Sequence, residues 1–455
     1  TMIYCTGQLF RDKDTTLSSF YSEPPQTIEL ISVGSSHVNS GVIPAVFWRE
    51  EGINAHNVFS WGQPVWISYH YIKEAFRSQT PKVVVLDLFG MMYGNSGEQP
   101  KEIDETNYRN SFSIDPSLNF LQMTRTVSTC GIDLRDPIDF LNPIRFHTAW
   151  KNLSKTNFTY NPHKQHSYLK GFGIQCGNIP AKLSDTSTPV SPKMPYDTAV
   201  KYLEKIVQLS KDYDFKLIFV MLPYEYMPEE RALFAWLREY SAENNIPFLN
   251  YCEEDGERIG FDFTKDFSDT THVNYTGAYK LSRDMASFVA ENYFKEAPTP
   301  PENKEQLDID TKKVYRVLKV NGDLTTDVTD YFQRLKDDPD YLLIANVRSS
   351  DSSDLSPEFI KAMGEMGIST HKSCITLLEN GKTQVYKEKL DYKGLSITND
   401  NLGNKILING DVDCFPPGDI KYKFCIWDKV LERPTFYFYY IPEENILFIK
   451  DFPTK

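Results

Sequence analysis

The run Lys82-Val83-Val84-Val85-Leu86-Asp87-Leu88 restricts the fold more than any other segment of the chain. Four consecutive apolar residues, three of them β-branched, leave no face for water, and the run stops within a few residues of Pro81 on one side and Gly90 on the other. A short apolar run between turn signals reads as a strand buried on both faces, which is the situation of a strand in a parallel sheet covered by helices.

Other segments of the same kind stand at intervals around it. A strand at 27–33 stops at Gly34-Ser35-Ser36-His37, and one at 55–59 stops at Ser60-Trp61-Gly62-Gln63-Pro64. Two more lie at 215–222 and 246–250. Between them fall helices at 42–51, with Pro44 in its first turn, at 65–78, and at 228–245. A helix at 197–212 has Val200, Leu203, Ile206, Val207 and Leu209 on one face, and a last one runs over 276–293. Strand–helix alternation across 27–293 predicts an α/β fold built on a doubly wound, mainly parallel sheet, with ligands at the carboxyl ends of the strands.

With 455 residues the chain exceeds one ordinary core. The expected organisation is an irregular N-terminal extension at 1–26 and an α/β domain at 27–295 interrupted by an insertion at about 95–195. A Pro-rich charged linker follows at 296–306, then a second, smaller β-rich domain at 307–455. The insertion carries short helical pieces, such as 144–153. The last domain shows alternating runs at 313–320, 341–347, 405–408, 422–427 and 435–440, with one helix at about 357–366.

Charge sets limits on partners. Asp and Glu number 62 against 49 Lys and Arg, a formal net charge of −13, which excludes nucleic acid as the expected partner. Seven cysteines at 5, 130, 176, 252, 374, 414 and 425 include no C-x-x-C pair, so neither a zinc ribbon nor a thioredoxin-type site is expected. Cys414 and Cys425 are close enough in sequence to pair within the small domain. No stretch of about 18 apolar residues is present to span a membrane. The first residues, Thr1-Met2-Ile3-Tyr4, have none of the regions of a signal peptide, so the expected setting is the cytoplasm or a position behind a removed anchor.

Two motifs carry chemistry. Ser36 sits in a Gly-x-Ser turn directly after the first strand, where its hydroxyl reaches the carboxyl edge of the sheet and its N–H opens a helix. Asp269 stands three residues before His272, within reach of the imidazole in a tight turn just ahead of the last helix. In that arrangement His272 is the general base toward Ser36 and Asp269 orients its ring. Acyl transfer of this kind needs neither metal nor cofactor, and none is predicted.

A nucleophile after the first strand and an Asp-x-x-His pair before the last helix of one α/β unit together resemble the SGNH/GDSL hydrolase superfamily. Gly34-Ser35-Ser36 is similar to its first block and Asp269-x-x-His272 to its last, over residues 27–293. The resemblance implies a flavodoxin-like sheet and a serine acyl-esterase or acyltransferase with Ser36, His272 and Asp269 as triad. Asn57-Val58-Phe59-Ser60-Trp61-Gly62-Gln63 looks like the second block, which makes the N–H groups of Ser36 and Gly62 the oxyanion donors. The third block is normally Gly-x-Asn-Asp, but this chain has Asp87-Leu88-Phe89-Gly90-Met91-Met92, leaving Asn95 or Gln63 as substitutes for the missing Asn. The Gly34–Val38 and Asn57–Gln63 segments further resemble the SGNH-like, D-alanine-transfer-protein-like proteins of bacterial envelope polysaccharide loci. That likeness implies an acylated carbohydrate or other ester as substrate, a membrane-bound acyl-transfer partner, and an extracytoplasmic setting. The contrasting expectation is a non-catalytic glycan-binding or polysaccharide-assembly protein with a decayed site.

Candidate substrate contacts are His37 beside the nucleophile, Gln63, Asn95, and Tyr224 at the end of the fourth strand. His163-x-x-His166 has ligand spacing but no acidic or Cys partner near it in sequence, so it reads as surface loop.

Overall fold

The computed structural model describes residues 17–94, 114–115, 117–127, 130, 161–175, 178–181, 191–295, 301–321, 332, 336, 338–348, 355–400, 403–408, 412–413, 420–441 and 446–451. The chain forms two compact units, one of Thr1–Gly173 with Pro180–Val314 and one of Ile174–Ile179 with Tyr315–Lys455.

The first unit is built on a five-stranded, all-parallel sheet. Its strands are β1 (Leu30–Gly34), β2 (Ala55–Phe59), β3 (Val83–Asp87), β4 (Lys216–Met221) and β5 (Phe248–Asn250), in the order β2-β1-β3-β4-β5. This is the flavodoxin-like order. The chain leaves β1 toward β2 and then crosses to β3 on the other side, so the switch point lies between the carboxyl ends of β1 and β3.

All residues of β1, β2 and β3 are buried, and their alternation supplies two cores. Ile31, Val33, Val84, Leu86, Leu217, Phe219 and Met221 join one cluster with Val65, Trp66 and Ile72 of the Val65–Ala75 helix and Leu203 and Ile206 of the Asp197–Asp212 helix. Their neighbours Leu30, Val83, Val85, Ile218 and Val220 are equally buried but belong to no part of that cluster, as period-two alternation requires. Each such side chain withdrawn from water contributes about 1.5–3 kcal/mol. The Tyr275–Tyr293 helix packs on the Ser36–Gly41 and Pro44–Glu51 helices, and the Ser282 hydroxyl accepts the Ile43 N–H at 2.8 Å between them.

The second unit is β-rich and antiparallel. One sheet has six strands: Ile446–Asp451, Arg433–Ile441, Tyr422–Asp428, Tyr341–Val347, Cys374–Glu379 and Lys382–Tyr386, in that spatial order. A second has four: Val412–Asp413, Gly403–Ile408, Leu395–Asp400 and Lys389–Tyr392. Leu342, Ile344, Ile375, Leu377, Ile397, Ile406 and Trp427 form the core of this unit. Its Pro357–Glu365 helix is capped by Ser356, whose hydroxyl accepts the Phe359 N–H at 3.2 Å.

Several local expectations change. The run at 313–320 is not a strand but part of the helix Lys304–Asn321. Leu307, Val314, Val317 and Leu318 are its buried apolar residues among those described, and their spacing of seven, three and one is helical rather than alternating. The helix after Ser36 begins at Ser36 itself, breaks at Val42 and resumes at Pro44, whose ring cannot continue the first segment. The helix expected at 228–245 opens with a single 3-10 turn, Pro228–Glu230, before Arg231–Glu243. The 144–153 piece, most of the insertion and Cys414 lie outside the described residues.

Candidate active site

Everything in the site follows from how β1 ends. Gly34 is required there, because a Cβ on it would stand 2.7 Å from the Asp87 Cβ and 2.7 Å from a Val38 methyl. Ser35 is the N-cap of the Ser36–Gly41 helix, and its hydroxyl accepts the His37 N–H at 3.4 Å. Ser36 is therefore the first helical residue, and its own N–H has no partner within the helix. Asn57 on β2 holds the same helix from the side, donating to the Val38 and Val42 carbonyls at 3.2 and 2.8 Å.

The second half of the site is a loop closed on itself. Ser268 N–H donates to the His272 carbonyl at 2.9 Å, Asn274 N–H to the Asp266 carbonyl at 2.9 Å, and Phe267 and Val273 form an antiparallel bridge. Asn274 caps the following helix by accepting the Thr276 and Gly277 N–H groups, both at 3.1 Å. The fully buried Asp266 is paired with Lys280 at 2.6 Å. At the loop's tip, the Glu225 N–H donates to the Thr270 carbonyl at 2.9 Å, tying it to the segment after β4.

These two halves, 236 residues apart in sequence, meet. His272 Nε2 lies 2.9 Å from Ser36 Oγ, and His272 Nδ1 lies 2.9 Å and 3.1 Å from the two Asp269 oxygens. Asp269 Oδ1 also accepts the backbone N–H groups of Thr271 (2.8 Å) and His272 (2.7 Å). With Nδ1–H donated to the carboxylate, Nε2 is left as the acceptor for the Ser36 hydroxyl. Partial burial opposes the charge on Asp269. The His272 hydrogen bond and charge, with the two backbone donors, outweigh it and hold this carboxyl well below the usual carboxylate range. The imidazole side chain is 24% exposed, open enough to meet a substrate.

His37 lies under the His272 ring, their centroids 5.6 Å apart and edge to face. It is buried, packs against Phe89 at 3.9 Å and stacks on Tyr224 at 5.7 Å. Burial, reinforced by the neighbouring His272 charge, lowers its pKa to about 3, so the ring is neutral and apolar in effect. Its Nδ1 is buried with no hydrogen-bond partner among the described residues.

The β2 loop brings Gly62 to the same edge. Ser60 N–H donates to the Gly34 carbonyl at 3.4 Å, and Gly62 has φ +57°, a left-handed conformation natural to glycine. Gln63 is fully buried, and its side chain is spent internally: it accepts from the Ser60 hydroxyl at 2.8 Å and donates to the Ser68 hydroxyl at 2.9 Å. The Asp87–Met92 segment folds as a 3-10 turn over Leu88–Met92, with Met91 buried. Asn95 lies outside the described residues. The Tyr224 hydroxyl donates to Glu230 at 3.2 Å, which leaves its ring, rather than its hydroxyl, to the site. His163 and His166 face separate carboxylates, Asp115 and Asp310, each at 2.9 Å, and no cluster of three metal-ligating side chains occurs among the described residues.

One residue of the site escaped the sequence reading. Asp87 ends a buried strand and heads the segment that stands for the third block, where no side-chain role is expected of it, yet its carboxylate lies against Gly34 at the start of the Ser36 turn. An ionisable residue at the end of an otherwise apolar strand was the available signal.

No family model matches this chain, and no curated protein matches it. Among solved structures it is similar to a candidate acylhydrolase from Bacteroides fragilis, with 12% identity, 60% of this chain and 94% of that one covered, and a TM-score of 0.31. It is also similar to a candidate lipolytic protein of the G-D-S-L family from Desulfitobacterium hafniense, at 12% identity, 57% and 98% coverage and a TM-score of 0.29. A third is a candidate GDSL-like lipase from Parabacteroides merdae, at 9% identity, 59% and 98% coverage and a TM-score of 0.30.

Proposed function

We propose that the chain is a serine acyl-esterase or O-acyltransferase that acts on small acyl groups of cell-envelope or extracellular glycans. The observation that carries this reading is the unbroken Asp269–His272–Ser36 relay at the carboxyl edge of the sheet, with both links at 2.9 Å.

In this reading Ser36 Oγ attacks the acyl carbonyl while His272 Nε2 takes its proton. The N–H groups of Ser36 and Gly62 receive the charge that develops on the carbonyl oxygen. The tetrahedral intermediate collapses, the bond to the sugar oxygen breaks, and His272 returns the proton to that oxygen. The acyl-Ser36 ester is then attacked by water, giving an esterase, or by a second sugar hydroxyl, giving a transferase; His272 removes the proton from either and returns it to Ser36 Oγ as the acyl–Oγ bond breaks. Asp269 keeps Nδ1 protonated throughout and stabilises the imidazolium.

The glycan and the extracytoplasmic setting are supported by the resemblance of the Gly34–Val38 and Asn57–Gln63 segments to envelope-polysaccharide proteins, as is a membrane-bound acyl-transfer partner. No helix among the described residues is long and apolar enough to cross a membrane. The reading is tested by incubating the protein with O-acetylated polysaccharide and measuring released acetate and the mass of the Ser36 peptide. Acetate release, or an added acetyl group on Ser36, is expected in the wild type and absent in Ser36→Ala. Neither signal with any acylated glycan would favour a binding or assembly role.

A further inference from the structure

Asp87 closes β3 and is buried, its side chain taken entirely out of water. Three strand ends converge on it. Oδ1 accepts the Leu222 N–H after β4 at 3.4 Å and, at 3.5 Å, the Phe89 N–H of its own turn. From the end of β1, the N–H and hydroxyl of Ser35 both favour its charged form, although neither closes a well-formed hydrogen bond on Oδ2. Gly34 passes so close that no side chain fits between. Tyr93, Tyr224 and Cys252 are held in their neutral forms chiefly by burial, and the Asp87 charge adds to the effect at each.

We infer that Asp87 is a positioning residue for the nucleophile: its carboxylate gathers the ends of β1, β3 and β4 so that the Ser35 cap, and with it Ser36 Oγ, stays in register with His272. This rests on the reading of Ser36 as nucleophile. The hydrogen bonds on the carboxylate fall on Oδ1, from the Leu222 and Phe89 N–H groups, while Oδ2 is buried beside the Ser35 turn with no hydrogen-bond partner among the described residues. An amide in its place keeps its oxygen toward the Leu222 and Phe89 N–H groups but turns its NH2 toward the Ser35 N–H, donor against donor, and displaces the turn. Misplacement of a reacting atom by about an ångström costs up to about a hundredfold in rate.

Burial raises the Asp87 pKa to about 7 against the lowering effect of the Leu222, Phe89 and Ser35 donors, so its ionisation falls in a range that can be assayed. The test compares wild type, Asp87→Asn and Ser35→Ala by the rate of fluorophosphonate labelling at Ser36, kcat and KM for p-nitrophenyl acetate, and the pH dependence of labelling. Asp87→Asn is expected to fold, to lose about tenfold or more in labelling rate and kcat, and to keep KM within about twofold. Wild-type labelling should rise with pH through two ionisations and that of Asp87→Asn through one. Should Asp87→Asn fail to fold, Ser35→Ala decides, with a several-fold slower labelling at unchanged KM expected. Wild-type labelling rate and pH profile in a folded Asp87→Asn, or in Ser35→Ala, would overturn the assignment alone. A wild type whose Ser36 never labels would overturn both this and the proposed function.

Discussion

Acidification should destabilise the α/β unit steeply, well above the pH at which carboxylates are protonated. Burial holds His37 and His56 down to a pKa of about 3 and His70 to about 4; the His272 charge adds to the effect at His37 and the Lys170 charge at His56. His56 is hydrogen-bonded to Asn57 O and Ser19, and His70 to Asn119 and Thr126 on its two ring nitrogens. In the unfolded chain each histidine takes a proton near pH 6.5, roughly the ordinary value. Their folded pKa values are depressed, so the stability they contribute is complete above that pH and is lost as pH falls toward 4. Asp87 works the other way: its folded pKa of about 7 exceeds the unfolded value, so it binds a proton in the native state that the unfolded chain lacks until about pH 4. Three protons gained on unfolding less one lost leaves two, or about 2.7 kcal/mol per pH unit. Because these groups are only part-titrated at the upper end of the window, from about pH 6.5 to about pH 5 the unit should lose about 3 kcal/mol, a large part of the roughly 5–15 kcal/mol of an ordinary domain, and about 6–12 °C in Tm. Urea titrations followed by far-ultraviolet circular dichroism at successive pH values read this directly. His56→Gln should halve the slope to about 1.4 kcal/mol per unit, whatever it costs at neutral pH. Stability that is flat between neutrality and about pH 5, or a slope that His56→Gln leaves intact, would refute the reasoning.

Two further outcomes follow from the geometry. In Asp269→Asn the Thr271 and His272 N–H groups hold the amide oxygen at the Oδ1 position, so its NH2 faces Nδ1 and His272 presents the wrong tautomer to Ser36; kcat for p-nitrophenyl acetate should fall by about a thousandfold or more with KM little changed. Gly34→Ala drives a methyl to within 2.7 Å of Asp87 and Val38, and should cost about 1–3 kcal/mol by denaturant titration and slow Ser36 labelling at the same time.

The parts of the fold read well from sequence are those where a single local rule decides. Val83–Leu86 is apolar throughout and the whole strand to Asp87 is buried, and the 3.6-residue spacing over Asp197–Asp212 gives a helix with the anticipated bounds. The Ser36 turn and the Asp269-x-x-His272 loop were legible because each is a short motif at the edge of a regular element. Elsewhere tertiary contacts made the decision. Valines at 314, 317 and 320 favour a strand locally, but the helix buries Val314 and Val317 with Leu307 and Leu318. Gln63 has the chemistry of an oxyanion donor, and only the positions of Ser60 and Ser68 show its amide to be occupied. Asp87 belongs to the site because β1 and β4 end beside it, a matter of strand order that no window of sequence contains.

The central claim, that Ser36 is a nucleophile activated by His272, is tested most directly by labelling with a fluorophosphonate probe and locating the adduct by peptide mass spectrometry. The account predicts one adduct, on Ser36, lost in Ser36→Ala and strongly slowed in His272→Ala. No labelling of the folded wild type, or an adduct that persists in Ser36→Ala, would contradict it.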